Sequence, residues 1–140
     1  MYSYFFVTHG DLGEMLVTTA NMILKDDIED RIKIFSVDYS MLPDMQQIQK
    51  NVELAIEQES KKERHIILFT DIFGGSPSNL AFTFSKKENV DVIAGVNLPM
   101  VLSAFERKDR KEDFSKTITA IIKSGKGNIV SAKQLMEKDV

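Results

Sequence analysis

His65-Ile66-Ile67-Leu68-Phe69-Thr70, followed at once by Asp71-Ile72-Phe73-Gly74-Gly75-Ser76-Pro77, decides how the rest of this chain is read. A short, nearly continuous apolar run is the pattern of a strand covered on both faces, which is the habit of a parallel sheet layered between helices. It halts at a glycine-bearing loop. Ser76 then offers a helix cap and Pro77 a favourable first helical residue, with Leu80, Ala81 and Phe84 as the buried stripe.

Working outward, the same alternation recurs. Tyr2 to Thr8 is aromatic and β-branched enough for a first strand, which stops at His9-Gly10. A helix follows, with Asp11 as its cap, Glu14 at the capping-box position and Leu12, Met15, Leu16, Ala20, Ile23 and Leu24 on one face. Ile32 to Val37 reads as the second strand. After Leu42-Pro43, a helix carries Met45, Ile48, Val52, Ala55 and Ile56 and ends in charge near Lys61. Val90 to Val96 is the fourth strand, and Asn97-Leu98-Pro99 leads into a helix bearing Val101, Leu102 and Phe105. Phe114, Ile118, Ile121 and Ile122 mark another helix, stopping near Gly125, and Asn128 to Ala132 is strand-like. Strands joined through helices run parallel, because helical crossovers connect parallel neighbours and hairpins do not. The expected class is α/β, doubly wound, with four parallel strands flanked by helices on both faces. The direction and partner of the short final strand stay open at this point.

Composition limits the function. At 140 residues with 43% hydrophobic residues, the chain has the size of one ordinary domain, expected to span 1–140. A net charge of −3, with both signs interspersed, supplies no basic stripe for a nucleic-acid backbone. Zero cysteines exclude disulfides and thiolate metal sites. Met1-Tyr2-Ser3-Tyr4 carries no basic n-region, and no apolar run approaches the ~20 residues of a membrane span. A cytoplasmic protein is expected.

In open parallel sheets, ligands bind beyond the carboxyl ends of the strands. Thr8-His9-Gly10 ends the first strand, Asp71 to Ser76 follows the third and Asn97 the fourth, so three separated segments converge on one rim. His9 and Asp71 are expected to meet there. A neutral imidazole is a good nucleophile when one ring nitrogen is bare, and a carboxylate on the other nitrogen fixes the tautomer and stabilises charge growing on the ring. Incoming phosphoryl oxygens need donors, which Ser76, Gly74, Gly75 and Gly10 can supply through a hydroxyl and backbone amides at helix starts. Thr8, Phe73, Asn97 and Pro99 make the site wall. No metal or cofactor is demanded, because positioning and hydrogen bonds can carry such a transfer.

Each residue also has a plain reading. A lone histidine at a strand end is usually a satisfied polar group, Asp71 a turn residue, Gly74-Gly75 a tight loop and Ser76 a cap. Their convergence is what separates the two readings. His65, at the opposite rim after Lys61-Lys62-Glu63-Arg64, reads as solvated, and Glu106 to Asp113 as a solvated connection. Met41-Leu42-Pro43 lies near the active rim, where it could touch a partner, but reads first as core packing.

Three segments carry a resemblance: Phe6-Val7-Thr8-His9-Gly10, Thr70-Asp71-Ile72-Phe73-Gly74-Gly75-Ser76-Pro77-Ser78-Asn79, and Ala94-Gly95-Val96-Asn97-Leu98-Pro99-Met100. Together they resemble the IIA components of the mannose-type sugar phosphotransferase system of bacteria. The resemblance implies that His9 is the phosphorylated histidine, that Asp71 hydrogen-bonds its ring and that Ser76 places a hydroxyl near the phosphoryl group. It implies phosphorylated HPr as donor and a IIB component as acceptor, with membrane IIC and IID components involved only indirectly. It further implies a homodimer in which the last strand runs antiparallel and is exchanged. Because the chain ends at Val140, the acceptor is expected on a separate polypeptide. Two rivals keep the same residues: a regulatory domain that holds its phosphate, and a small-molecule binding module without a covalent step. The sugar is not legible, since such a component meets phosphohistidine and never the cargo.

Overall fold

The computed structural model describes residues 1–26 and 28–138. Four strands, β1 (Tyr2–His9), β2 (Ile32–Val37), β3 (His65–Thr70) and β4 (Val90–Ile93), form one sheet in the order β2-β1-β3-β4. All neighbours are parallel, with His9 opposite Val37 and Val7 opposite Thr70. The helices are α1 (Leu12–Leu24), α2 (Met45–Ser60), α3 (Ser76–Phe82), α4 (Leu98–Glu106), α5 (Phe114–Gly127) and α6 (Ala132–Lys138). The strand and helix order is that of the expected doubly wound class.

Side chains alternate across the sheet, so each central strand feeds two cores. On one face Tyr4, Phe6, Ile67 and Phe69 pack against Val17 and Ala20 of α1, Val101 and Ala104 of α4 and Ile121 of α5. On the other, Phe5, Val7, Ile66 and Leu68 meet Val52 and Ile56 of α2 and Leu80 and Ala81 of α3. The bulky start of β1 is therefore fully buried. Its two phenols keep partners: Tyr2 donates to Thr117 Oγ1 at 2.9 Å, and Tyr4 donates to the Ala104 carbonyl. Burial, reinforced by neighbouring Tyr2, pushes the Tyr4 phenol far above its ordinary range, so it remains a neutral donor.

Several local expectations are corrected. On α1 the buried face is Gly13, Val17 and Ala20, while Leu12, Met15 and Ile23 point to solvent. The reason is close approach. A Cβ on Gly13 would lie 2.9 Å from Phe6 Cβ, so small residues must face the sheet. Asp11 makes no side-chain cap bond; Thr8 Oγ1, from β1, accepts the Gly13 amide at 3.0 Å instead. Gly75 rather than Ser76 is the cap residue of α3, and Ser76 is the first helical residue. The fourth strand stops at Ile93, just before the left-handed turn at Gly95 (φ +79°). α5 runs past Gly125 to Gly127.

The C-terminal strand expected at Asn128 to Ala132 is not formed. Asn128 ends α5, donating through Nδ2 to the Ser124 carbonyl at 2.8 Å, and Ala132 begins α6. A strand needs a neighbour for its amides and carbonyls, and β4 does not pair with this segment; residues 129–131 lie between the two helices in no regular structure. His65 is half-buried, its ring 4.6 Å from that of Phe114, and is not simply solvated. The Glu106 to Asp113 connection is pinned: Arg107 pairs with Glu112 at 2.6 Å, and Arg31 with Asp109 at 2.9 Å.

Candidate active site

β1 delivers His9 to the carboxyl end of the sheet, and β3, its neighbour, ends one residue before Asp71. The two therefore meet for a topological reason. Asp71 Oδ2 lies 2.8 Å from His9 Nδ1 and also accepts the His9 backbone amide at 2.9 Å, while Oδ1 accepts the Ile72 amide at 2.9 Å. The carboxylate is thus committed on both oxygens. Its side chain is 11% exposed and that of His9 is 37% exposed, so the acceptor is shielded while the ring reaches solvent. Burial alone would push the Asp71 carboxyl up, but the His9 amide and ring and the Ile72 amide together hold it below the ordinary aspartate value. It stays an anion, and an anion at Nδ1 favours the tautomer with the proton on Nδ1 and the lone pair on Nε2.

The glycine loop closes against the ring. A Cβ on Gly75 would sit 3.2 Å from His9 Cε1 and 3.1 Å from Ile72 Cγ2, so the bare α-carbon leaves the imidazole its place. Gly74 has φ +90°, a conformation that glycine adopts without strain. Two of the expected phosphoryl donors are engaged elsewhere. The Gly10 amide donates to the Val37 carbonyl at 3.0 Å, and the Gly75 amide to the Ile72 carbonyl at 3.3 Å. Ser76 is half-buried in the first turn of α3.

The expected wall residues divide. Thr8 is buried, its hydroxyl tying β1 to the start of α1, and Phe73 stands 78% exposed beside Asp71 and the loop. Asn97 caps α4 by accepting the Met100 amide at 3.1 Å and donates to the Gly125 carbonyl at 3.3 Å, so its side chain serves the junction of α4 and α5. Pro99 lines a separate depression of about 300 Å³ with Ser103, Arg107 and Ser124. The Val96 amide donates to the Thr70 carbonyl at 3.0 Å, which keeps this loop on the same rim.

Sequence reading placed Met41-Leu42-Pro43 near this rim but missed Tyr39. Tyr39 brings its ring to 5.5 Å from that of His9, and Met41 and Leu42 are exposed, Leu42 at 89%, where core packing was expected. For Tyr39 the signal lies in the register: Val37 pairs with His9, so residues just beyond it crowd the same end of the sheet. Among the described residues no group of three or more His, Cys, Asp or Glu side chains could hold a metal ion, and no helix is long and apolar enough to cross a membrane.

Comparison with known proteins identifies the family and the fold. A family model described as PTS system fructose IIA component, EIIA-man, covers residues 5–122. The chain is 27% identical over 133 residues to the PTS system mannose-specific EIIAB component of Escherichia coli K12. That match covers 90% of this chain but 38% of the relative, so the chain spans well under half of it. It is also 27% identical over 110 residues to the PTS system fructose-specific EIIA component of Bacillus subtilis 168, covering 78% of this chain and 72% of that one. The fold superposes on the PTS IIA protein associated with the fucose utilization operon of Streptococcus pneumoniae, with TM-score 0.79 and 20% identity over 96% of each chain. It also superposes on the mannose/sorbose-specific IIA subunit of Enterococcus faecalis, with TM-score 0.73 and 19% identity over 92% of each chain. With a family model spanning most of its length, the chain belongs to the EIIA-man family, the mannose-type IIA components of the sugar phosphotransferase system.

Proposed function

We propose that this chain is a phosphohistidine carrier: His9 Nε2 accepts a phosphoryl group from phosphorylated HPr and passes it to a IIB component during sugar uptake. The observation that supports this best is the 2.8 Å contact of Asp71 with Nδ1, which leaves Nε2 as the nitrogen for transfer on a ring that reaches solvent. In the forward step the donor's P–N bond breaks, its electron pair returns to the donor ring, and a P–Nε2 bond forms. The proton on Nδ1 stays where it is. Positive charge then grows on the His9 ring, and Asp71 stabilises it without being protonated itself. Ser76 and the Gly74 amide, at the entrance to α3, are the groups placed to meet the phosphoryl oxygens.

Met41, Leu42, Ile72 and Phe73, all exposed on the segments that flank His9, form the apolar rim on which phospho-HPr docks. The carrier works as a single domain in the cytoplasm and as a homodimer, for which exposed Ile129, Val130, Leu135 and Met136 offer apolar surface.

Incubation with phospho-HPr, followed by intact mass and then by addition of a IIB protein, tests the reading. A carrier gains one acid-labile phosphate on His9 and loses it to IIB. Retention of the phosphate in the presence of several IIB proteins would instead favour a regulatory domain. Failure to gain it at all would favour a binding module.

A further inference from the structure

We propose that Tyr39 is a positioning residue for phosphoryl transfer: its ring contacts the His9 imidazole, limits how that ring tips and attracts the positive charge it acquires. The proposal rests on the reading of His9 as acceptor.

Tyr39 is held where it is by backbone chemistry. The Gly10 amide bonds the Val37 carbonyl at 3.0 Å, which ties the end of β2 to the residue after His9. Asp38 then closes a tight turn, its carboxylate accepting the Ser40 amide at 2.9 Å and the Ser40 hydroxyl at 2.6 Å. The Met41 amide donates to the Asp38 carbonyl at 3.1 Å, and the Leu42 amide to the Tyr39 carbonyl at 3.3 Å. Such a turn presents its first side chain in one direction. The ring arrives 5.5 Å from the imidazole centroid at an interplanar angle of 52°.

The contact answers a need that Asp71 does not meet. A single bond to Nδ1 fixes one atom of the ring and leaves the plane free to tip about that bond, which would swing Nε2 off the line of attack. Gly75 leaves room beside Cε1, where an added Cβ would sit 3.2 Å away, and Tyr39 supplies an aromatic contact from the β2 side. As the P–Nε2 bond forms, the imidazole becomes cationic, and a cation within about 6 Å of a tyrosine ring is attracted to its π-face. Core burial is not the reason for the contact, since Tyr39 is 53% exposed.

The experiment compares wild type, Tyr39→Ala and Tyr39→Phe with two donors: phospho-HPr, and phosphoramidate, which is too small to use a docking surface. Tyr39→Ala is expected to label about 2–5-fold more slowly with phosphoramidate, the rate equivalent of an exposed cation–π contact. Tyr39→Phe restores the rate, because the ring and not the hydroxyl acts. In proton NMR spectra, the ring-current shift on the His9 Cε1 and Cδ2 protons disappears in Tyr39→Ala and persists in Tyr39→Phe. Slowing of Tyr39→Ala with phospho-HPr alone would overturn the proposal and make Tyr39 a partner contact. Equal slowing of the phenylalanine variant would overturn it as well. If wild type is labelled by neither donor, the acceptor reading itself fails and takes this proposal with it.

Discussion

Asp71 Oδ2 holds two atoms of His9 at once, the ring Nδ1 at 2.8 Å and the backbone amide at 2.9 Å, across 62 residues of sequence. One oxygen therefore sets both where the end of β1 lies and how its side chain is turned. If the ring's tautomer depends on that oxygen, Asp71→Asn should slow phosphotransfer from phospho-HPr by about 10²–10⁴-fold while His9→Ala abolishes labelling. Stopped-flow or quench kinetics with radiolabelled donor would measure both; labelling of His9→Ala at the same site would sink the assignment.

Gly75→Ala should damage function far more than stability. Its new Cβ would fall 3.2 Å from His9 Cε1, so the imidazole must give by a few tenths of an ångström, and a loss of about 10-fold in rate is expected. Gly75 has φ −77°, which alanine adopts without strain, so the melting temperature should change little. Parallel rate and melting measurements separate the two effects.

At the far end of the sheet, Glu59 is buried among Ser3 Oγ at 2.6 Å, Lys62 Nζ at 2.9 Å and Arg64 Nη1 at 3.0 Å. Removing one member of a buried pair leaves the other uncompensated, so Glu59→Ala should cost about 3–5 kcal/mol of stability by urea unfolding. Phosphotransfer by the folded fraction should be unaffected.

The same group gives a pH signature. Burial would raise the Glu59 carboxyl, but its bonds to Ser3, Lys62 and Arg64 outweigh burial and hold it below the ordinary glutamate value. A depressed folded value means that its stabilisation is complete above the unfolded value and is lost as pH falls through the folded one. Asp71, also depressed, acts in the same sense. Unfolding free energy measured from pH 7 down to pH 3 should therefore fall, and less steeply in Glu59→Gln than in wild type.

Gly13→Ala probes the packing of α1. The added methyl meets Phe6 Cβ at 2.9 Å, a contact that neither backbone nor ring can absorb without movement, so a loss of about 1–3 kcal/mol is expected. A thermal melt unchanged from wild type would show that α1 can lift from the sheet freely.

Much of the architecture was legible because it depends on local pattern. The apolar run His65 to Thr70 and the turn chemistry after it specified a buried parallel strand and a following helix, and β2 and β3 begin and end where their hydrophobic patterns do. Amphipathic stripes were less reliable. On α1, apolar Leu12, Met15 and Ile23 lost the buried face to Gly13, Val17 and Ala20, because distance to the sheet and not hydrophobicity chose it.

The sequence by itself determined that a histidine and an aspartate stand at the ends of strands whose carboxyl edge is shared. Only the tertiary structure decided the neighbours. That Gly75 yields space to the imidazole, that Tyr39 stands against it and that Gly10's amide is already bonded to Val37 all follow from register between strands and the aim of turns. Those distances arise between segments far apart in the chain, and no local propensity encodes them. The last strand shows the same division, since its residues had the composition for pairing and the single chain offered them no partner.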